Sequence, residues 1–440
     1  MLEEITQDRL SCVPATNQPV FSTAVDYDSI VKQRESAIED WKNLSQEQKS
    51  NFRDPTDYAR AMNIPDLKDP SLLPCRNLSI MMKEIKERIN SHNIIQLLPI
   101  DPLDFDDSVT ELAESLENTA DIRDLYRIRK RTTGTTKNSG ISAEEASRLK
   151  NCFSQGRELY LAGRQGSLMV KPLNFFYAIT AYSYGIIILN NPIRYNKGNI
   201  PGSHGMSYLP DTIQAQFGGD CARGTFSDLV TAFPTQLIKT GKIEINVDCS
   251  ESLVEFYNRR YSVSLGTLLS MVPEMSDYYK LTTGTASRCH PIEISNAIDP
   301  RSLTWEFHIG DGETRPAPES INNSFSGFQT AERFGKIVIS IPASRASSIK
   351  ACIYTDIRGN LWYVENPFFP IILPEASLHF LINSMFSNIM RYRPDEWGNI
   401  LLNDVSSSVS LITRHYFSSF QRKFFALILR SISRYMPYAV

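Results

Sequence analysis

The hydrophobic period of this chain changes twice. Through the first 190 residues apolar positions recur three and four apart, the spacing of one helix face. Ser29 to Phe52 sets Ile30, Val31, Ala37, Ile38, Trp41 and Leu44 among charges, and Ile80 to Ile95 repeats the pattern through Met81, Ile85 and Ile89. Pro55, Pro65, Pro70 and Pro74 make the stretch between them an extended connection. Ser108 to Arg131 follows Asp104, Asp106 and Asp107 and ends in Arg123, Arg127, Arg129, Lys130 and Arg131, a charge order that suits the helix dipole. TTGTTKNSG at 132–140 reads as a linker. Ser142-Ala-Glu-Glu145 is a capping box, in which hydroxyl and carboxylate each satisfy a free backbone N–H. Its helix runs to about Gly163. A second starts near Pro172, where a missing donor costs nothing, and stops near Asn190-Asn191-Pro192.

From about Gly241 the period becomes two. KIEINV at 242–247, PIEIS at 291–295, LTWEFHI at 303–309 and KIVISIP at 336–342 alternate as strands do. Ala351 to Val364 reads as a hairpin around Asp356-Ile-Arg-Gly-Asn360, and Leu265 to Met275 as a helix among the strands. After Pro374 helices return, as His379 to Trp397 and Val409 to Tyr435. The expected class is α+β: a mainly helical core, 143–190 packed with 375–436, with an inserted, mostly antiparallel β-rich segment and a helical N-terminal extension. The expected divisions are 1–140, 141–240 (first half of the core), 241–373 (β-rich) and 374–440 (completing the core).

Composition narrows the class. Hydrophobic residues at 42% and charged residues at 22% are those of a soluble globular protein. A net charge of −3 supplies no global field toward nucleic acid or acidic lipid, so such binding would need a local patch. The seven cysteines are odd in number and contain no Cys-x-x-Cys pair, which points to reduced thiols in a cytoplasm rather than disulfides or zinc. MLEEITQDRL lacks the apolar run of a signal peptide. Leu173 to Leu189 carries no charge but falls short of the ~20 residues of a bilayer span. Its Tyr, Ser and Thr groups would lack partners in lipid, so a buried helix is expected.

Four segments, in order, carry a family resemblance. They are LYLAGRQGSLMVKPLNFFYAITAYSYGIIIL at 159–189, then His204-Gly205-Met206, then Gly224-Thr-Phe226-Ser-Asp-Leu229, and last Ser384-Met385 with Arg391-Tyr392 and Trp397. Through them residues 143–435 resemble the YaaC-like family of bacterial proteins. The resemblance implies a cytoplasmic bacterial protein and brings no catalytic residues with it. One departure matters: the family's basic run after His-Gly is here the uncharged Ser207-Tyr208-Leu209-Pro210. A phosphate-binding role for that run is therefore not expected.

His204 is the leading candidate for chemistry, because the loop GNIPGSHGM lets an imidazole face a cleft. A general base needs a carboxylate or nucleophile nearby, and the sequence offers only remote ones, such as Asp211 and Asp220. The plainer reading has the ring hold the turn. Arg391, Arg393 and Trp397 flank the helix stop at Pro394 and suit either an anion and a ring or a cap and a packed edge. Arg164 and Tyr177 are further binding candidates. The last helix sets Phe417, Phe420, Phe424 and Ile428 on one face and Arg422 and Arg430 on another, with Lys423 at its edge. Such interleaving serves single-stranded nucleic acid in some proteins and is an ordinary amphipathic helix in most.

No P-loop, His-Glu-x-x-His or Gly-x-Ser-x-Gly occurs, and the glycines lack a dinucleotide context. No cofactor or metal is expected. The leading expectation is a non-catalytic binding or assembly subunit of a bacterial cytoplasmic complex, meeting another protein through residues 1–140. Anti-phage defence or nucleic-acid processing is the context the family suggests. The competing expectations are a nuclease or nucleotide hydrolase with His204, Arg391 and Arg164 in one cleft, and a nucleic-acid-binding protein.

Overall fold

The computed structural model describes residues 22–62, 64, 96–132, 141–190, 203–209, 213–240, 243–296, 304–402, 406–432 and 435–440. The chain forms two compact units, Met1–Glu87 and Arg88–Val440. In the first, α1 (Ser22–Asn43), α2 (Gln46–Lys49) and α3 (Pro55–Ala61) follow one another. The helix expected over 29–52 breaks because Ser45 and Gln48 form a capping box and start a new turn. Trp41, Phe52 and Tyr58 close this unit as a ring cluster, with centroids 5.2 to 6.1 Å apart. The helix expected over 80–95 and most of the 132–140 linker lie outside the described residues.

The second unit opens with β1 (Gln96–Ile100), α4 (Phe105–Ser115) and α5 (Thr119–Thr132). The single pattern read over 108–131 is two helices, since Asn118 Oδ1 takes the Ala120 N–H and caps the second. Residues 96–132, read from the sequence as part of the extension, belong to this unit. Glu117 binds Arg157 Nε at 2.6 Å and Ser154 Oγ at 2.6 Å on the next helix.

That helix is α6 (Ala143–Gln165), and α7 (Lys171–Asn190) turns back along it. The capping box forms as the sequence implies, with Glu145 N–H on Ser142 Oγ at 3.2 Å and Ser142 N–H on Glu145 Oε2 at 2.7 Å. Glycines let the pair approach closely. A Cβ at Gly156 would stand 2.6 Å from the Tyr182 ring, at Gly163 2.7 Å from Phe175, and at Gly185 2.1 Å from Phe153. Each ring fills the gap its glycine leaves. Although α7 is apolar and long enough to cross a membrane, 78% of its most apolar window is buried inside the protein.

The chain continues through β2 (Ser207–Leu209), β3 (Gln214–Gly218), α8 (Thr225–Thr231), β4 (Thr235–Thr240), β5 (Ile243–Asp248), α9 (Ser250–Asn258) and β6 (Arg260–Ser264). Strands β2, β3 and β4 fall in the stretch expected to be helical. Next come α10 (Leu265–Leu269), α11 (Ser276–Thr283), β7 (Cys289–Asn296), β8 (Thr304–Ile309), α12 (Pro318–Ser324), β9 (Gln329–Arg333), β10 (Lys336–Pro342), β11 (Cys352–Thr355) and β12 (Leu361–Val364). The end is α13 (Glu375–Tyr392), α14 (Pro394–Leu401), α15 (Ser407–Ile432) and β13 (Tyr435–Ala439).

The main sheet is antiparallel, in the order β11-β12-β7-β8-β10-β9, with Ile339 opposite Phe307. One face buries Phe307, Ile309, Ile339, Ile341 and Tyr363 together with Ile245 and Val247 of β5. Toward β8, β10 and β9 its other face carries ion pairs such as Lys336–Glu293 at 3.1 Å. At β11, β12 and the start of β7 that face buries Cys352, Tyr354, Val364 and Cys289. A smaller antiparallel sheet, β2-β3-β6, leads from the helices into this layer, and β4 pairs with β5. Strands β1 and β13 pair in parallel, Gln96 opposite Tyr435.

The helical core joins α6 and α7 to α13 and α15, as the pattern implied. Tyr160 stacks on Phe424 at 4.9 Å, Phe175 meets Phe420 at 5.4 Å, and Phe176 meets Phe380 at 5.4 Å. Such pairs add about 0.5–1.5 kcal/mol each beyond the area they bury. The fold is α+β, a helical core interrupted by an antiparallel insert.

Candidate functional site

The segments around His204, Gly224 and Ser384–Arg391 meet at one place, against the Phe176 turn of α7. Residues 203–206 lie across the start of α8: Thr225 N–H donates to Ser203 O at 2.9 Å and Phe226 N–H to His204 O at 3.0 Å. The crossing is tight enough to demand glycine on both sides. Gly205 has φ +74° and Gly224 φ +115°, and a Cβ at Gly224 would stand 2.6 Å from Gly205 N. This clasp turns the His204 ring edge-on to Phe176, with centroids 5.0 Å apart.

Strand β2 then brings Tyr208 to α13, where its hydroxyl hydrogen-bonds Ser384 Oγ. Arg391 stands two turns further along α13. Its Nε donates to Ser387 O at 3.2 Å and its guanidinium lies 5.0 Å from the centre of the Tyr392 ring. Among the described residues no carboxylate pairs with it. Helix α13 ends because Arg393, before Pro394, takes φ −139° and ψ 59°.

The electrostatics follow from this placement. Burial, and then the nearby charge of Arg391, hold the His204 imidazole below its ordinary pKa, so it is neutral at pH 7. Burial keeps the Tyr208 phenol protonated far above neutrality, against smaller opposing effects of Ser384 and Arg391. His204 Nδ1 and Ser387 Oγ are buried without a hydrogen-bond partner. The site therefore offers one guanidinium without a carboxylate partner among the described residues, within electrostatic range of a neutral imidazole whose buried Nδ1 lacks a hydrogen bond. That set can hold an anion, by charge and by directed hydrogen bonds.

The other residues singled out from the sequence sort clearly. Tyr177 is 38% exposed and lies beside Phe176, at the rim of the site. Trp397 is buried, donates Nε1–H to Met169 O at 3.1 Å and packs on Phe386, so it fixes α14. Arg393 pairs with Glu396 at 3.2 Å. Arg430 is occupied by the carbonyls of Thr355, Asp356 and Pro437, each at 2.9 Å, and ties α15 to the sheet and to β13. Arg164 and Arg422 both approach Asp106 on α4, at 4.0 and 3.7 Å, away from the His204 loop in their pairing. Asp211 lies outside the described residues, and Asp220 is taken by Arg260 at 2.7 Å.

Tyr208 and Ser387 were not singled out as site residues. The only sequence signal for Tyr208 was its place in the uncharged run after His-Gly. Among the described residues no group of three or more His, Cys, Asp or Glu could hold a metal ion. The described cysteines, Cys152, Cys221, Cys249, Cys289 and Cys352, are free thiols.

Comparison with known proteins gives a family. The model of the YaaC-like protein matches residues 114–432, a span that takes in every group of this site. No curated protein and no solved structure matches the chain.

Proposed function

The chain belongs to the YaaC-like family, and on that premise we propose that it is a binding protein without catalysis of its own, whose Arg391–His204 site takes an anionic group of its ligand. One observation carries this reading: Arg391 is half-buried with no carboxylate partner among the described residues. A guanidinium kept partly out of water without a counter-charge costs free energy that an arriving phosphate or carboxylate recovers. His204, being neutral, adds a hydrogen bond to that anion without adding charge. The setting we propose is a bacterial cytoplasmic complex, in defence or nucleic-acid processing. Another protein would be met by the unit Met1–Glu87, a compact body that precedes the family match.

Isothermal titration of the full chain with inorganic phosphate, pyrophosphate and acetate tests the site. One of these should bind at a single site, Arg391→Ala should abolish binding, and Arg391→Lys should retain a weaker form. No anion bound, or binding that survives Arg391→Ala, would end the reading.

The same juxtaposition supports a second reading, a nuclease or nucleotide hydrolase. There His204, unprotonated at neutral pH, would take a proton from water while Arg391 neutralises the phosphoryl group. Arg164 has no part in it, being paired toward Asp106. Turnover of a nucleotide or oligonucleotide, lost in His204→Gln with ligand binding intact, would decide for this alternative.

A further inference from the structure

A polar cleft of about 860 Å3 opens where β6 and the start of β7 face α12 and the segment after β12. Its cationic wall is built from Arg259, Arg260 and Arg288. Arg260 is neutralised by Asp220. Arg288 is met more loosely, by Glu365, and Arg259 by no carboxylate among the described residues. Arg259 is exposed, lies 5.3 Å over the Tyr261 ring, and has no carboxylate partner among the described residues. Arg288 comes only within 4.0 Å of Glu365. The other oxygen of that carboxylate takes His290 Nε2 at 2.9 Å and the Ala317 N–H at 3.0 Å.

Beneath Arg259 the Tyr261 side chain is only 7% exposed, and the guanidinium interacts with its hydroxyl as well as its ring. Tyr261 also lines the cleft and so holds Arg259 at its wall. Phe369, half-buried, lines the same cleft, while Glu319 sits on the α12 side. A guanidinium without a carboxylate, a second held loosely by Glu365 and an aromatic face in a cleft lined mainly by polar groups do not suit a small apolar ligand, which favours an apolar enclosure. They suit an alternation of phosphates and bases.

We propose that this cleft binds single-stranded nucleic acid. Arg259, braced on Tyr261, and Arg288 take backbone phosphates, and Phe369 stacks on a base. Glu319 opposite repels phosphate and keeps the backbone on the arginine wall. With the chain at −3 overall, recognition depends on this patch alone rather than on a general attraction. The proposal stands apart from the Arg391 site and does not depend on it.

Fluorescence anisotropy with the full chain and a labelled single-stranded oligonucleotide of about twelve nucleotides tests it. Affinity should fall between about 50 and about 200 mM salt, and removal of each arginine by Arg259→Ala or Arg288→Ala should lower the log–log salt slope by about 0.7. Phe369→Ala should weaken binding about tenfold and leave the slope unchanged, because stacking releases no counterion. Arg391→Ala should change neither. No binding at the lowest salt, equal affinity for a blunt duplex, or binding that survives the double arginine variant would each overturn the proposal. So would loss of binding in Arg391→Ala alone, which would place the nucleic acid at the other site.

Discussion

Two cations on helices of the same core are handled in opposite ways. Lys423 on α15 is 1% exposed and held between Glu274, at 2.7 Å, and Glu375. Burial alone would drive its pKa down, but the two carboxylates more than reverse that and keep it charged. Arg391 on α13 has a carbonyl and a ring for company and no counter-charge among the described residues. The first arrangement fastens three stretches of chain, the Pro273–Met275 turn and the two helices, by setting one ammonium between two carboxylates. The second leaves attraction unspent. A cation that already has its partners is part of the architecture; one held without them is available to something that arrives. By the same criterion Arg430 is architecture and Arg259 is not.

The largest effect expected from breaking this contrast is at Lys423. Lys423→Ala strands two carboxylates in the core and should cost about 3–5 kcal/mol of stability in urea denaturation. Replacing Lys423, Glu274 and Glu375 together by apolar residues should recover most of it. A single substitution that costs under about 1 kcal/mol would show that the cluster is not the fastening described here.

Gly185→Ala comes next. Its new methyl would meet Phe153 at 2.1 Å, and overpacking of that kind costs about 1–3 kcal/mol. Gly398→Ala, with nothing within 4 Å of the added atom, should instead stabilise α14 by up to about 1 kcal/mol. Equal calorimetric shifts for the two would refute the close-approach account of the α6–α7 pair.

Arg391→Ala should move stability at neutral pH by no more than about 0.5 kcal/mol, yet it should raise the His204 pKa, read by NMR titration. The pH dependence follows in sign. His204 is held below its ordinary value by burial and Arg391, and His379 well below it by burial and Lys423. Below about pH 6.5 the unfolded chain binds protons that these folded histidines refuse, so stability is full above that pH and falls as pH drops toward their folded pKa values. Arg391→Ala should soften the fall and leave the His379 share in place. A His204 pKa that does not move would separate the two residues of the site.

Much of this architecture was legible. The Ser142–Glu145 capping box, the start of α7 beside Pro172 and the alternation of β10 are local patterns with local causes. The stretch 207–240 was not, because β2, β3 and β4 are short and paired through contacts set elsewhere in the chain. Strands β1 and β13 each carry a proline, at Pro99 and Pro437, and proline argues against a strand. Lys423 looked like the rim of a basic face, since nothing near it in sequence announces carboxylates as distant as Glu274 and Glu375. His204 and Arg391 could be named as residue types in a loop and at a helix end. Their proximity, and the Tyr208–Ser384 hydrogen bond beside them, exist only once β2 has been folded against α13.

The parallel pairing of β1 with β13 bears on how the second unit responds to force. Tension applied between Gln96 and Ala439 would pull one strand by its start and its neighbour by its end, along a ladder from Gln96–Tyr435 to Ile100–Ala439. The hydrogen bonds would then be strained together rather than peeled one by one. Arg430 grips Pro437 from the core, and the Ala439 N–H donates to Ile357 O at 2.7 Å. Pulled this way, the unit should yield late and abruptly, as a buckle does rather than a zip.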